Sequence, residues 1–379
     1  IGCARDEIAI VENATRAWDM AFYSLPFRSG DRILTAVAEY ASNYIAFLQV
    51  AQRTGAVVEV IPNDDSGQVS IEALAGMLDE RVKLIAITHV PTNGGLVNPA
   101  AEIGRIARDA NVLFLLDACQ SVGQMPVDVD SFGCDILSAT GRKFLRGPRG
   151  TGFLYVRRSV LERLEPPFLD LHAAKWTAPD RYEIRADARR FENWETNYAG
   201  KIGLGVAIDY ALGWGVDALW ARVSQLARVL RERLRAVPGI TLRDLGARQC
   251  GIVTFSVDGR DPQDIRRTLA AERINVSVSL AEYSRLDMDA RGLPSVCSGG
   301  GGQCGLRGVA ALLQAHPGQP RADTPQGGGR SRQRCHAEAR QHARQQRIGR
   351  RLAAHADRLA DRRAGARRDR VQRYSPGAK

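Results

Sequence analysis

Short apolar runs alternate with amphipathic stretches across residues 1–157 of this chain. The runs at 8–11, 33–37, 57–61, 84–88, 112–116, 136–138 and 152–156 are rich in aliphatic residues and bounded by turn formers, which predicts strands. Between most of them, residues 44–53, 71–78 and 99–110 place apolar side chains at helical spacing. Gly30 and Asp31 punctuate one strand entry, and the polar turn 63–67 precedes a helix whose start Ser70 can cap. Strand and helix in alternation predict an α/β domain built on a mainly parallel sheet covered by helices. The longest clean apolar run, 112–116, suits a buried strand and falls far short of the roughly 18 residues that cross a membrane.

After this region the pattern changes scale. A long helical stretch at 202–236 leads to strands at 240–242 and 252–257, a helix at 262–272 and a strand at 274–278. This is the grammar of a smaller α+β unit whose closing elements are missing. The predicted organisation is a large domain over 1–215, an incomplete small domain over 216–295 and a tail over 296–379.

The tail changes the meaning of the charge. The 379 residues carry a net +11, yet the stretch from Arg321 onward holds 16 Arg and one Lys against five acidic residues, a net of +12. The first 320 residues therefore sit at −1, and the body has no basic field with which to attract nucleic acid or a membrane surface. From Cys297 the text turns to Gly, Arg, Ala and Gln, with Tyr374 as its single aromatic residue. Such a composition cannot bury a core and reads as disordered or marginally helical. It also fits translation of GC-rich DNA in a shifted frame from about Val296. Read as selected protein instead, it is an Arg-rich arm for non-specific nucleic-acid binding, which would show as a steep salt dependence. Seven cysteines without a CxxC pair exclude a simple zinc knuckle and point to a reducing, cytoplasmic setting.

Four local patterns carry chemistry. Asp117-Ala118-Cys119-Gln120 follows the most apolar strand, so a carboxylate and an amide emerge at the ligand-binding edge of an open sheet. Thr140-Gly141-Arg142-Lys143 follows the next strand with a hydroxyl, a guanidinium and an amine. Asn13-Ala14-Thr15 opens a helix and offers free N–H groups to an anion. Glu39-Tyr40-Ala41-Ser42-Asn43 supplies an aromatic face. Singly, each has a bland explanation: a strand-end Asp is commonly a turn or cap, a lone Lys is commonly solvated, and Cys119 reads as a small buried residue. Their combination is what suggests a site. No GxGxxG follows the first strand, which excludes a nicotinamide dehydrogenase.

The run LLDACQSVGQMPVDV, with the Lys of SATGRKFLRGPRGTGFLYV 26 residues after Asp117, and the upstream AEYASN and HVPTNGGLVNP, occur together in this order. In these motifs residues 1–295 resemble the fold-type I enzymes that use pyridoxal phosphate (PLP), and within them the class V aminotransferases and cysteine desulfurases. The resemblance implies the PLP-dependent transferase fold and a Schiff-base lysine at Lys143. It implies that Asp117 pairs with the pyridine nitrogen, Gln120 bonds the ring oxygen and Tyr40 stacks on the ring where many desulfurases carry His. Ala14, Thr15, Thr140 and Arg142 would hold the phosphate, Thr92 or Asn93 would meet the substrate side of the ring, and Thr196 would reach the site of a neighbouring subunit in a homodimer. An amino-acid substrate follows, with a carbon–sulfur lyase of the non-persulfide kind favoured by the Tyr40 and Thr-Gly-Arg-Lys variants; transaminase and epimerase share the same apparatus. Relatives also carry a segment before the position of Ile1 and a late strand whose Arg grips the substrate carboxylate, and here the tail replaces that strand.

Overall fold

The computed structural model of the protein describes residues 1–299. The tail from residue 300, with its expected disorder, lies outside the described residues.

The large part of the fold is a sheet wound back and forth through helices. In chain order it comprises β1 (Ile8–Val11), α1 (Ala14–Phe22), β2 (Arg32–Ala36), α2 (Ala41–Thr54), β3 (Val57–Ile61), α3 (Ile71–Gly76) and β4 (Val82–Thr88). There follow α4 (Ala100–Asp109), β5 (Leu113–Asp117), α5 (Val129–Phe132), β6 (Ile136–Thr140) and β7 (Gly152–Val156). The seven strands run in the order β1-β7-β6-β5-β4-β2-β3. Neighbours from β3 to β6 are parallel, whereas β7 is antiparallel to both β6 and β1.

Both faces of this sheet are covered, which is why its central strands read as unbroken apolar runs. Alternate residues go to opposite sides. Phe114 and Leu116 join Leu34, Ile85 and Leu137 under α4, while Leu113 and Leu115 join Ile33, Leu84 and Ile136 under Trp18, Phe22 and Phe47 of α1 and α2. Helix α4 approaches so closely that a Cβ on Gly104 would lie 1.8 Å from the Phe132 carbonyl oxygen. The obstacle is backbone and cannot rotate away. Gly104→Ala is therefore expected to cost about 3 kcal/mol, the upper end for overpacking, read from the midpoint of urea unfolding; a loss below about 0.5 kcal/mol would show that the two helices can separate freely.

Beyond the sheet lie an exposed hairpin, β8 (Ala174–Ala178) with β9 (Arg181–Ile184), then α6 (Tyr198–Trp214) and α7 (Val216–Arg235). The single helix expected over 202–236 is two helices bent by 79° at Gly215, whose φ of +81° only glycine adopts freely. No single helix among the described residues is long and apolar enough to cross a membrane.

The smaller sheet contains β10 (Ile240–Leu242), β11 (Val253–Val257), β12 (Ser277–Leu280) and β13 (Ser295–Gly299), in the order β10-β11-β13-β12, with α8 (Pro262–Ala271) and α9 (Arg285–Ala290). The strand expected at 274–278 begins three residues later. Arg273 takes a left-handed φ of 62° and the Ile274 N–H bonds back to Leu269, so these residues close α8 instead. Residues 296–299, expected to open the tail, form most of β13, with Val296 and Cys297 buried. Arg231 of α7 ties this unit together: its Nε lies 2.6 Å from buried Asp244 and its Nη2 donates to the carbonyls of Cys250 and Ile252.

Candidate active site

The parallel strands deliver their chemistry at one edge. Asp117 ends β5 and Thr140 ends β6; Tyr40 caps α2 beyond β2, Thr92 follows β4, and α1 opens directly after β1. In the register of the sheet, Asp117 lies beside Thr88 on one side and Ser138 on the other. A cavity of about 470 Å³ opens over these ends, lined by Ala14, Thr15, Tyr40, Thr92, Asp117, Gln120, Thr140, Arg142 and Lys143. A volume of this size suits a small organic ligand.

One end of the cavity suits an anion. The Asn13 side chain caps α1 by accepting from Arg16 N, and the first turn of that helix, at Ala14 and Thr15, lines the cavity together with Thr140 and Arg142. The Arg142 guanidinium adds a planar fork that matches phosphate oxygens.

The floor has the opposite character. Asp117 is buried, and its carboxylate accepts from Cys119 N at 2.8 Å and from Asn43 Nδ2 at 3.0 Å. Burial pushes its pKa up, and the Lys143 ammonium, the Cys119 N–H and Asn43 only partly offset that rise. A carboxylate held this way is a strong acceptor for a cationic N–H. Gln120 is also buried, and its Oε1 has no hydrogen-bond partner among the described residues. Such an orphan acceptor is costly unless a ligand satisfies it.

Lys143 sits on a tight loop after β6, fixed by Gly147 N donating to Gly141 O and by Arg146 N donating to Lys143 O. Its side chain faces both this cavity and a second chamber of about 310 Å³, which shares Tyr40, Thr92, Gln120 and Arg142 and is completed by Ile252, Ser277, Val278, Ser279, Tyr283 and Ser298. The second chamber is rich in hydroxyls. Ser298, on β13, stands where the resemblance implied an Arg-bearing strand.

Thr92, not Asn93, lines the cavity; both polar atoms of the Asn93 side chain are buried without partners among the described residues. Thr196 lies two residues before α6 and does not line the cavity of its own chain. Cys119, expected to pack as a small buried residue, lines the cavity beside Lys143, where burial pushes its thiol up to about 11. Sequence reasoning did not foresee the parts played by Asn43, Thr88 and the small-domain serines.

The model of the family described as "Aminotransferase class-V" matches residues 1–283. A probable cysteine desulfurase of Methanothermobacter thermautotrophicus is 33% identical over 269 residues, 71% of this chain and 67% of that protein. One from Halalkalibacterium halodurans is 33% identical over 255 residues, 65% of this chain and 60% of its own length. The chain thus spans about two thirds of these relatives or slightly less. Among solved structures, the apo cysteine desulfurase of Thermococcus onnurineus NA1 superposes with a TM-score of 0.74 at 26% identity, over 82% of this chain and 78% of the other.

Proposed function

Since the chain belongs to the class V aminotransferase family, we propose that it is a PLP enzyme that breaks the carbon–sulfur bond of a cysteine-type amino acid. The observation that carries this reading is that a buried carboxylate, an unmatched amide oxygen, an anion cradle and an amine line one cavity. These are the four features that a phosphorylated pyridine aldehyde needs. When bound, the group supplies an aromatic ring that takes up the electron pair left by a bond broken at the substrate α-carbon.

The residues divide the work. Asp117 holds a proton at the ring nitrogen, which keeps the ring electron-poor. The α1 N-terminus at Ala14 and Thr15, with Thr140 and Arg142, binds the phosphate and fixes the ring in depth. Gln120 bonds the ring oxygen, and Tyr40 covers the ring face. Lys143 carries the cofactor and moves the proton at the substrate α-carbon from the side that opens to both chambers. The hydroxyl-lined second chamber, with Thr92 at its mouth, receives the amino acid.

A homodimer belongs to the same reading. Ile202, Val206, Tyr210 and Trp214 recur every four residues along α6, each more than half exposed, and make an apolar stripe that a second copy would cover. Thr196, just before this stripe, would then approach the other copy's phosphate site. The five free cysteines among the described residues support a cytoplasmic location.

The purified protein titrated with PLP is expected to develop the visible band of a lysine-bound cofactor, and then to release sulfide or thiol from cysteine or its S-conjugates. Transfer of the amino group to a keto acid with no sulfur released would overturn the lyase reading, and a protein that stays colourless would overturn the cofactor reading.

A further inference from the structure

Behind Asp117 lies a second carboxylate, bridged to it by one side-chain amide. Glu39, at the turn between β2 and α2, is buried and collects five donors: Tyr40 N at 2.9 Å, Asn43 Nδ2 at 2.8 Å, Thr35 Oγ1 at 3.2 Å, Thr88 N at 3.1 Å and the Thr88 hydroxyl. The same Asn43 amide nitrogen donates to Asp117 Oδ2 at 3.0 Å. One NH₂ group therefore bridges two buried carboxylates, a hydrogen on each. Asp117 Oδ1 is held by Cys119 N, which leaves the carboxylate no freedom to turn.

We propose that Glu39 is a positioning residue for Asp117: through Asn43 it fixes the orientation of that carboxylate, and it adds a second negative charge to the set that holds a proton at the cofactor's ring nitrogen. The proposal rests on the PLP reading of the cavity. Three N–H donors and two hydroxyls suit an anion, and an amide side chain of the same shape would turn at least one hydrogen against an N–H. Burial pushes the Glu39 carboxyl up to about 7, the Thr88 and Asn43 donors oppose the rise, and the Asp117 charge adds to it. The other ionisable groups around Glu39 are few. Lys143 stands beyond Asp117, His89 follows Thr88 with burial driving its pKa down to about 3, and Glu282 and Arg285 line the groove on the outer side of Glu39. Above pH about 7 Glu39 is ionised and tightens the hold on the ring proton; below it, the carboxyl is neutral and the effect disappears.

The test is nitrogen NMR of the full chain loaded with PLP labelled at the ring nitrogen, followed across pH. In the wild-type protein the ring nitrogen is expected to stay protonated into the alkaline range. In Glu39→Gln it should lose its proton about one pH unit earlier, the size expected for removing a buried charge close to its partner, and the two proteins should coincide at acid pH. Superimposable titrations of the two proteins would overturn the proposal. Asn43→Ala guards against a misfolded Gln variant, since it leaves Glu39 its other four donors. It should weaken PLP binding about tenfold by freeing Asp117 to rotate, and wild-type affinity would equally overturn the bridge. A wild-type protein that fails to bind PLP at all would remove the cofactor reading and this inference together.

Discussion

Lys143→Ala protein mixed with PLP is expected to show no lysine-bound visible band and to turn substrate over at least about 10⁴-fold more slowly, the combined loss of a covalent anchor and a general acid–base group. Among the described residues that line the first cavity, Arg142 is the other cation, and it cannot substitute. A guanidinium stays protonated and offers no free electron pair, so Arg142 can bind an anion but not form a bond to an aldehyde. The loop that carries the lysine is held by backbone bonds within residues 141–147, none of which involves the side chain. The variant should therefore keep its fold, although Asp117 loses the ammonium that partly offsets its burial. It should also bind PLP reversibly, because the phosphate cradle and Asp117 remain. Absorption spectra and a thermal melt of the two proteins check this. Wild-type colour in the variant, or turnover within tenfold of wild type, would mean that another amine does the work.

Much of this site could be read before the fold was known, because it follows from where strands end. A parallel sheet sends each strand's C-terminal residue to the same edge, so Asp117 and Thr140 were legible from two apolar runs and what came after them. Ala14 and Thr15 were legible as a helix start following a strand. Glu39 and Asn43 were visible in the AEYASN motif, but their service to Asp117 depends on the spatial order β5-β4-β2, which no local pattern encodes. The serines of the second chamber belong to β12, β13 and the loop around them, and polar residues in small edge sheets carry no signal that separates a chamber wall from solvent. The bend at Gly215 was missed for another reason: apolar periodicity continues on both sides of it, and only the glycine's φ betrays the break. The hairpin of β8 and β9 escaped because its faces are largely exposed, so the alternation that marks a half-buried strand is absent.

Asp117→Asn is the substitution that separates function from stability most sharply. Its kcat is expected to fall by about 10²–10³-fold, the usual cost of removing one preorganised charge from a developing transition state, while the lysine-bound band survives because Lys143 is untouched. Its stability, in contrast, should not fall. The wild-type carboxylate is buried at the end of a central strand with burial raising its pKa, so the folded protein pays a desolvation cost that the neutral amide avoids. The amide oxygen can still accept from Cys119 N, and the new NH₂ must face Asn43, a local conflict smaller than the relief. Asp117→Ala behaves differently: it leaves the Cys119 N–H and one Asn43 hydrogen without partners and should cost about 1–3 kcal/mol. If thermal melts and single-turnover rates instead show that Asn at this position lowers stability and leaves the rate intact, the carboxylate is a structural cap of β5, and the charge at the cavity floor has no part in the reaction.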